Sequence, residues 1–447
     1  MMKMSKNDLL MKCQELNITR ISSKNKTQLI QLINDKENTM VITENVVITE
    51  NNNEKAYKFI DLFCGIGGFH QALIKLNSKC VFACDIDENC RKVYEKNYGL
   101  KPEGDITKID ITKIPDFDIL CGGFPCQSFS NSGKKQGFDD KRGNLFESIL
   151  NIAKEKKPLF MFLENVKHIK KINNGDVFKH IIKRINETGY VVNDGNVFEL
   201  SPHQLGVPQK RERVIFVCIR QDIYNDKKQI IISPPNIPVD LETIIEKDQI
   251  IINKYRIPKE TEEILNVWNE MIQKFDVNEN LSPTILCNEF NNNYTDTEFL
   301  ELPTWKQDYI KKNKPLYTKY KNDWDIWYEK YNVLLQKKEI YGKLEWQAGK
   351  KKENDSIFNH FIQLRQSGIR VKVGNNFPTL VAIVQTPIYA KEKRYITPRE
   401  CARLQSFPES FILHENDHTA YKQFGNAVNV KVVHYVIEKT LQTYEYI

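Results

Sequence analysis

Between residues 57 and 220 the chain alternates short apolar runs with stretches of helical spacing, and most runs end at glycines or at an acid. Phe59-Ile60-Asp61-Leu62 passes into Phe63-Cys64-Gly65-Ile66-Gly67-Gly68 and then into Phe69-His70-Gln71-Ala72-Leu73, the order of a strand, a glycine turn and a helix start. Cys80-Val81-Phe82-Ala83-Cys84 ends in Asp85-Ile86-Asp87, and Leu159-Phe160-Met161-Phe162-Leu163 ends in Glu164. Val214-Ile215-Phe216-Val217 follows two alternating arginines, Arg211 and Arg213. Strands interleaved with helices at this spacing predict an α/β fold, a doubly wound, mostly parallel Rossmann-like sheet with its ligand at the carboxyl ends of the strands.

The N-terminal flank reads differently. Residues 7–34 carry two short helical patterns, around Leu9-Leu10-Met11 and Leu29-Ile30-Gln31-Leu32-Ile33, with Lys12, Lys24 and Lys26 available to phosphates. The segment 1–35 resembles a SAP-type helical hairpin, a family that binds duplex DNA. The competing reading is a tethered hairpin with a solvated basic face. Residues 36–56 repeat Val-Ile-Thr-Glu-Asn at 41–45 and 47–51, a polar pattern that cannot build a core and predicts a flexible linker.

Composition narrows the classes. A chain of 447 residues, 40% of them hydrophobic, is long enough for two domains and an appendage. No apolar run reaches the length of a membrane span, so no membrane partner is expected. Ten cysteines without a CxxC pair predict reduced thiols in a cytosolic setting, with no disulfide framework and no metal. The expected location is the cytoplasm of a prokaryote or a virus-infected cell, or the nucleus of a eukaryote; the expected state is a monomer. A net charge of +7 fits a polyanionic partner.

Candidate chemistry begins at the glycine turn, where Gly65, Gly67 and Gly68 let backbone approach a ligand. Asp85, about 20 residues on, is suited to a ribose hydroxyl, and Asp105 in Gly104-Asp105-Ile106-Thr107 to an adenine amino group. Cys126 follows Pro125 at the end of the apolar run Asp118–Gly123, where a thiol is held out for attack.

Seven segments then occur in one order: Phe63-Cys64-Gly65-Ile66-Gly67-Gly68, Gly123-Phe124-Pro125-Cys126-Gln127-Ser128-Phe129-Ser130, Lys141-Arg142-Gly143-Asn144-Leu145-Phe146, Phe162-Leu163-Glu164-Asn165-Val166, Gln209-Lys210-Arg211-Glu212-Arg213, Thr397-Pro398-Arg399-Glu400-Cys401-Ala402-Arg403-Leu404 and Gln423-Phe424-Gly425-Asn426-Ala427-Val428. In these the chain resembles the cytosine-5 DNA methyltransferases. The resemblance implies an S-adenosylmethionine-dependent methyltransferase fold and double-stranded DNA as partner. It implies Cys126 as nucleophile at cytosine carbon-6, Glu164 at nitrogen-3, Arg213 at oxygen-2, and Arg211 on the loop or a phosphate. Phe63, Ile86, Ile106, Pro125, Leu145, Asn426 and Val428 would join the glycines and acids around the cofactor. Phe124, Gln127, Ser130, Ser132 and Gln209 would face the substrate. Residues 128–142 would form a lid over a flipped base, with Lys134, Lys135 and Lys141 on phosphates. Asn429 departs from the family pattern, where proline or a small residue stands, and leaves the loop path there open.

The resemblance divides the chain into a catalytic domain at 57–220, a smaller target-recognition domain at 221–393, and a return segment at 394–447. All five tryptophans fall in the recognition region, among lysines and tyrosines such as Lys311, Lys312, Tyr317, Lys319 and Tyr320. That mixture suits a nucleic-acid groove, or else the tryptophans form the core and the lysines its solvated face. Arg365, Gln366 and Arg370 are candidate readers of base edges. A tRNA cytosine-5 methyltransferase shares the chemistry; the long recognition region, the missing Cys-Phe-Thr signature and the SAP-like hairpin weigh against it.

Overall fold

Four parallel strands carry the functional end of the molecule. In the computed structural model, which describes residues 56–124, 143–281, 284–290, 292, 294–383 and 385–446 together with Cys13, Lys26 and Leu29, these are β1 (Lys58–Leu62), β2 (Lys79–Cys84), β3 (Ile119–Gly123) and β4 (Phe160–Val166). They pair in parallel in the order β2-β1-β3-β4. The near-continuous apolar sequences of β1, β3 and β4 follow from burial on both faces. Between them run α1 (Gly68–Leu73), α2 (Glu88–Tyr98) and α3 (Gly143–Lys156), and α4 (Asp176–Asn186) follows β4. The sheet then turns antiparallel: β7 (Arg213–Arg220) pairs with β4 on one side and with β5 (Tyr190–Val191) and β6 (Val197–Leu200) on the other. The parallel half matches the expected doubly wound sheet, and the antiparallel half brings the Arg211–Arg213 stretch to the end of β4. One core, including Ile60, Leu120, Leu163 and Phe216, fills the space between these strands and α3 and α4.

A second sheet follows in the order β13-β12-β10-β11-β9-β8. Its strands are β8 (Ile285–Leu286), β9 (Lys343–Gln347), β10 (Phe361–Arg365), β11 (Gly368–Lys372), β12 (Ile388–Tyr389) and β13 (Arg394–Tyr395). Only β9 and β11 pair in parallel. The same region holds α5 (Gln249–Lys254), α6 (Lys259–Lys274), α7 (Asp296–Glu301), α8 (Thr304–Lys319) and α9 (Lys321–Lys337). It has its own core, in which Trp268, Trp324, Trp327 and Trp346 are buried. Buried indoles need acceptors: Trp268 Nε1 donates to the Tyr341 carbonyl and Trp327 Nε1 to that of Val267, both at 2.8 Å.

The chain returns through α10 (Pro398–Leu404), α11 (Asp417–Asn426) and α12 (Val430–Thr443), and α12 packs on α1. A fully buried pair joins the second sheet to this segment, with Arg394 Nη2 at 2.7 Å from Glu400 Oε1 and Nη1 at 2.9 Å from Oε2. Lys58–Ile447 forms one compact unit and Met1–Tyr57 another. In the latter, Cys13, Lys26 and Leu29 are helical, with Cys13 and Leu29 buried. Those three and Ala56 apart, the SAP-like hairpin and the linker lie outside the described residues. Among the described residues no helix is long and apolar enough to cross a membrane.

Candidate active site

The turn after β1 is built where a side chain has no room. Gly67 sits at φ 88°, and a Cβ there would meet the Tyr98 ring at 2.3 Å. A Cβ on Gly68 would come within 2.6 Å of the Val428 carbonyl oxygen, so glycine is what lets the start of α1 touch the return segment. Asp85, at the end of β2, accepts from the Gly65 amide through Oδ2 and from the Asp87 amide through Oδ1, each at 2.8 Å. Burial pushes its carboxyl above the usual range, while those amide hydrogen bonds oppose the shift. Asp85 therefore braces the glycine turn as well as facing the cavity beside it.

That cavity, about 750 Å3, opens at the carboxyl ends of β1 to β4. Phe63, Gly65, Gly68, Asp85, Ile86, Asp105, Ile106 and Leu145 line one part, Phe124, Glu164, Arg211 and Arg213 another, and Asn426 and Val428 close it from the return segment. Fourteen of the residues singled out by sequence thus share one space, with Gly67 behind it in the turn. Ile86 is 77% exposed, an apolar side chain left open at the cavity wall. Asp105 accepts from the Thr107 amide at 3.0 Å and hydroxyl at 2.7 Å, which holds its carboxyl below the usual range. Pro125, Cys126, Gln127, Ser130, Ser132, Lys134, Lys135 and Lys141 lie outside the described residues.

At the end of β4, Glu164 Oε1 is 2.8 Å from Arg213 Nε, the two side chains being only 12% and 16% exposed. Burial raises the Glu164 carboxyl, and the charges of Arg213 and Arg211 work against that rise. The next residue was not foreseen as functional. Asn165 donates from Nδ2 to the Phe124 carbonyl at 2.9 Å and so fixes the backbone that leads toward Cys126.

Three of the residues singled out are engaged or buried within the chain. Arg211, expected on a loop or a phosphate, is buried on backbone: Nη1 donates to the Leu380 carbonyl at 2.6 Å, and Nη2 to those of Gly425 and Ala427 at 2.8 and 3.2 Å. Burial, with Arg213 beside it, brings its pKa down to about 9. It clamps segments together because three carbonyls occupy its fork. Gln209, expected at DNA, is fully buried with neither amide atom hydrogen-bonded, and it bridges to Phe377 through its backbone. Arg370, expected to read bases, is held by Glu345, Nε to Oε2 at 2.7 Å. Beside it, Arg365 is half-buried at the end of β10, and Gln366 and Ser367 form the exposed tip between β10 and β11.

Residues 379–382 also line the cavity, brought in by the Arg211 clamp and by Thr379 Oγ1, which donates to the Lys210 carbonyl at 2.7 Å. The proline in Phe377-Pro378-Thr379-Leu380 is the sequence signal that could have marked a turn there. Asn429, the departure from the family pattern, caps α12: its Oδ1 accepts from the Val432 amide at 3.0 Å and its Nδ2 donates to the Leu404 carbonyl at 2.9 Å.

The chain is similar to known proteins across this whole framework. It is 31% identical over 380 residues to the type II methyltransferase M.HhaI of Haemophilus parahaemolyticus, covering 85% of this chain and 92% of that one. It is 35% identical over 400 residues to the type II methyltransferase M1.ScrFI of Lactococcus lactis subsp. cremoris, covering 89% and 81%. Its fold is like that of the Entamoeba histolytica methyltransferase EhMeth, with a TM-score of 0.51 at 18% identity over 87% of this chain and 99% of that one. The model of the C-5 cytosine-specific DNA methylases matches residues 57–442, which span the glycine turn, the Glu164–Arg213 pair and the return segment; the chain belongs to that family and is a DNA (cytosine-5) methyltransferase.

Proposed function

We propose that the protein transfers a methyl group from S-adenosylmethionine to carbon-5 of a flipped-out cytosine in a specific double-stranded DNA sequence, through a covalent bond between Cys126 and cytosine carbon-6. The observation that carries this reading is the shared cavity, with the glycine turn, Asp85 and Asp105 in one part and the Glu164–Arg213 pair in another. The lining fits the cofactor: carboxylates for hydroxyls and an amine, an open apolar face at Ile86, and backbone approach at Gly65 and Gly68. When bound, S-adenosylmethionine supplies an electrophilic methyl group on a sulfonium.

The chain's own residues make the cytosine able to accept it. The Cys126 thiolate forms a bond to carbon-6 and pushes electron density toward carbon-5, nitrogen-3 and oxygen-2. Glu164, kept protonated more readily by burial, donates to nitrogen-3 and accepts from the exocyclic amine. Arg213 meets oxygen-2 and holds Glu164 in place. Once carbon-5 carries the methyl group, loss of its proton to a base expels the Cys126 thiolate from carbon-6 and restores the ring. Arg211 is a positioning residue in this scheme. Residues 57–220 and 394–447 serve catalysis, and 221–393 recognition.

Bisulfite sequencing of DNA from cells expressing the chain tests the reading. Methylation at one sequence context, lost in Cys126→Ala with DNA affinity retained, is the expected result; transfer persisting in Cys126→Ala would overturn the nucleophile.

A further inference from the structure

Four of the five tryptophans are buried, but Trp305 on α8 is 52% exposed, and Leu300 just before it is 72% exposed. The lysines around this helix fall into two groups. Lys306 pairs with Glu289 at 2.8 Å, Lys319 with Glu279 at 2.6 Å, Lys330 with Glu270 at 3.3 Å, and Lys337 and Lys338 with Glu260 at 2.9 and 2.7 Å. Lys311, Lys312 and Lys314 are exposed and form no ion pair among the described residues. Asp308, the one acid between Trp305 and Lys319, is exposed and leaves them an excess of positive charge.

These lysines adjoin aromatic rings. Trp305 and Tyr309 meet edge to face at 6.2 Å, Lys312 Nζ lies 5.8 Å from the Tyr309 ring centre, and Lys311 Nζ 5.4 Å from that of Phe299. The buried positions of α8 are Asn313 and Leu316, Asn313 donating to the Thr284 carbonyl at 3.0 Å and accepting from the Leu286 amide at 2.8 Å. Uncompensated ammonium groups beside half-exposed rings match a sugar–phosphate backbone: cations for phosphates, ring faces for deoxyribose.

We infer that the side of α8 carrying Trp305, Tyr309, Lys311 and Lys312 is a sequence-independent contact to the backbone of duplex DNA, additional to the catalytic cavity. The inference rests on the chain's action on DNA but not on its covalent mechanism.

The test uses the full chain and a labelled duplex of adenine and thymine only, which holds no target cytosine. Anisotropy titrations over a salt series should show the slope of log affinity against log salt falling by about 2 in the double variant Lys311→Ala/Lys312→Ala. Trp305→Phe should remove duplex-induced quenching of the exposed indole. All three substituted side chains are exposed, so unfolding temperatures should match the parent. An unchanged slope, or quenching that persists in Trp305→Phe, overturns the inference. So does a change confined to self-association in sedimentation, which would make the face a protein contact. Repeating the titration in Cys126→Ala separates the outcomes, since failure of the covalent mechanism leaves the slope change intact.

Discussion

Arg213 Nε lies 2.8 Å from Glu164 Oε1, and the antiparallel register that sets Val166 opposite Arg213 delivers both side chains from neighbouring strands. Burial favours the protonated carboxyl while the guanidinium favours the ionised one, and burial is the larger effect. A raised pKa keeps the acid form to higher pH than in an exposed glutamate. As pH rises through that value, the donor proposed for nitrogen-3 is lost and the rate should fall. Glu164→Gln keeps the shape without the proton, so single-turnover methylation should drop about a hundredfold or more. Its pH profile should lose the alkaline limb; a variant that keeps the limb would assign that titration elsewhere.

Arg211 joins residues far apart in the chain, so its removal should act on stability before chemistry. Arg211→Ala leaves the carbonyls of Leu380, Gly425 and Ala427 without their donor. A loss of about 3 kcal/mol or more is expected from carbonyls left unsatisfied in a buried site. Thermal unfolding checks this, and S-adenosylhomocysteine affinity should fall with it, because two of those carbonyls flank the cavity-lining Asn426. Normal stability in Arg211→Ala would show that the clamp is dispensable.

What was legible in the chain was chemistry with a local signal. The glycines after β1, Asp85 after β2 and Glu164 toward the end of β4 each follow an apolar run, and the parallel sheet brings the ends of such runs together. The partners of Arg211 had no such signal: 169 residues separate it from Leu380 and 214 from Gly425. Arg370 read as a free fork because nothing adjacent in sequence is acidic. Its partner Glu345 arrives only through the parallel pairing of β9 and β11. The tryptophans divided four to one between core and surface, a split set by how α6, α8 and α9 pack rather than by the lysines around them.

Gly68 offers a test of close approach without touching a reactive group. Gly68→Ala puts a methyl 2.6 Å from a backbone oxygen of Val428, which cannot swing aside as a side chain would. The start of α1 and the return segment should separate, at about 1–3 kcal/mol. Calorimetric titration with S-adenosylhomocysteine should show weakened binding, with duplex affinity little changed. Equal losses of both would mean that the whole unit, and not the cavity wall, is disturbed.

The two arginines of the β10–β11 hairpin should behave oppositely. Arg370, paired with a mostly buried Glu345 that also accepts from Gln347 Nε2 at 2.6 Å, stabilises the second sheet. Arg370→Ala should lower the unfolding temperature and leave the methylated context unchanged; breaking a largely desolvated pair strands a carboxylate, at about 3 kcal/mol. Arg365 and Gln366 stand at the turn, with Gln366 exposed and Gly368 held at φ 128°, where a Cβ would collide with Lys343. Arg365→Ala or Gln366→Ala should leave stability within about 0.5 kcal/mol and relax the choice of base at one position of the target. Deep bisulfite sequencing of a randomised duplex library reads both outcomes. A relaxed context in Arg370→Ala, or an unaltered one in both tip variants, would move the reading of bases away from this hairpin.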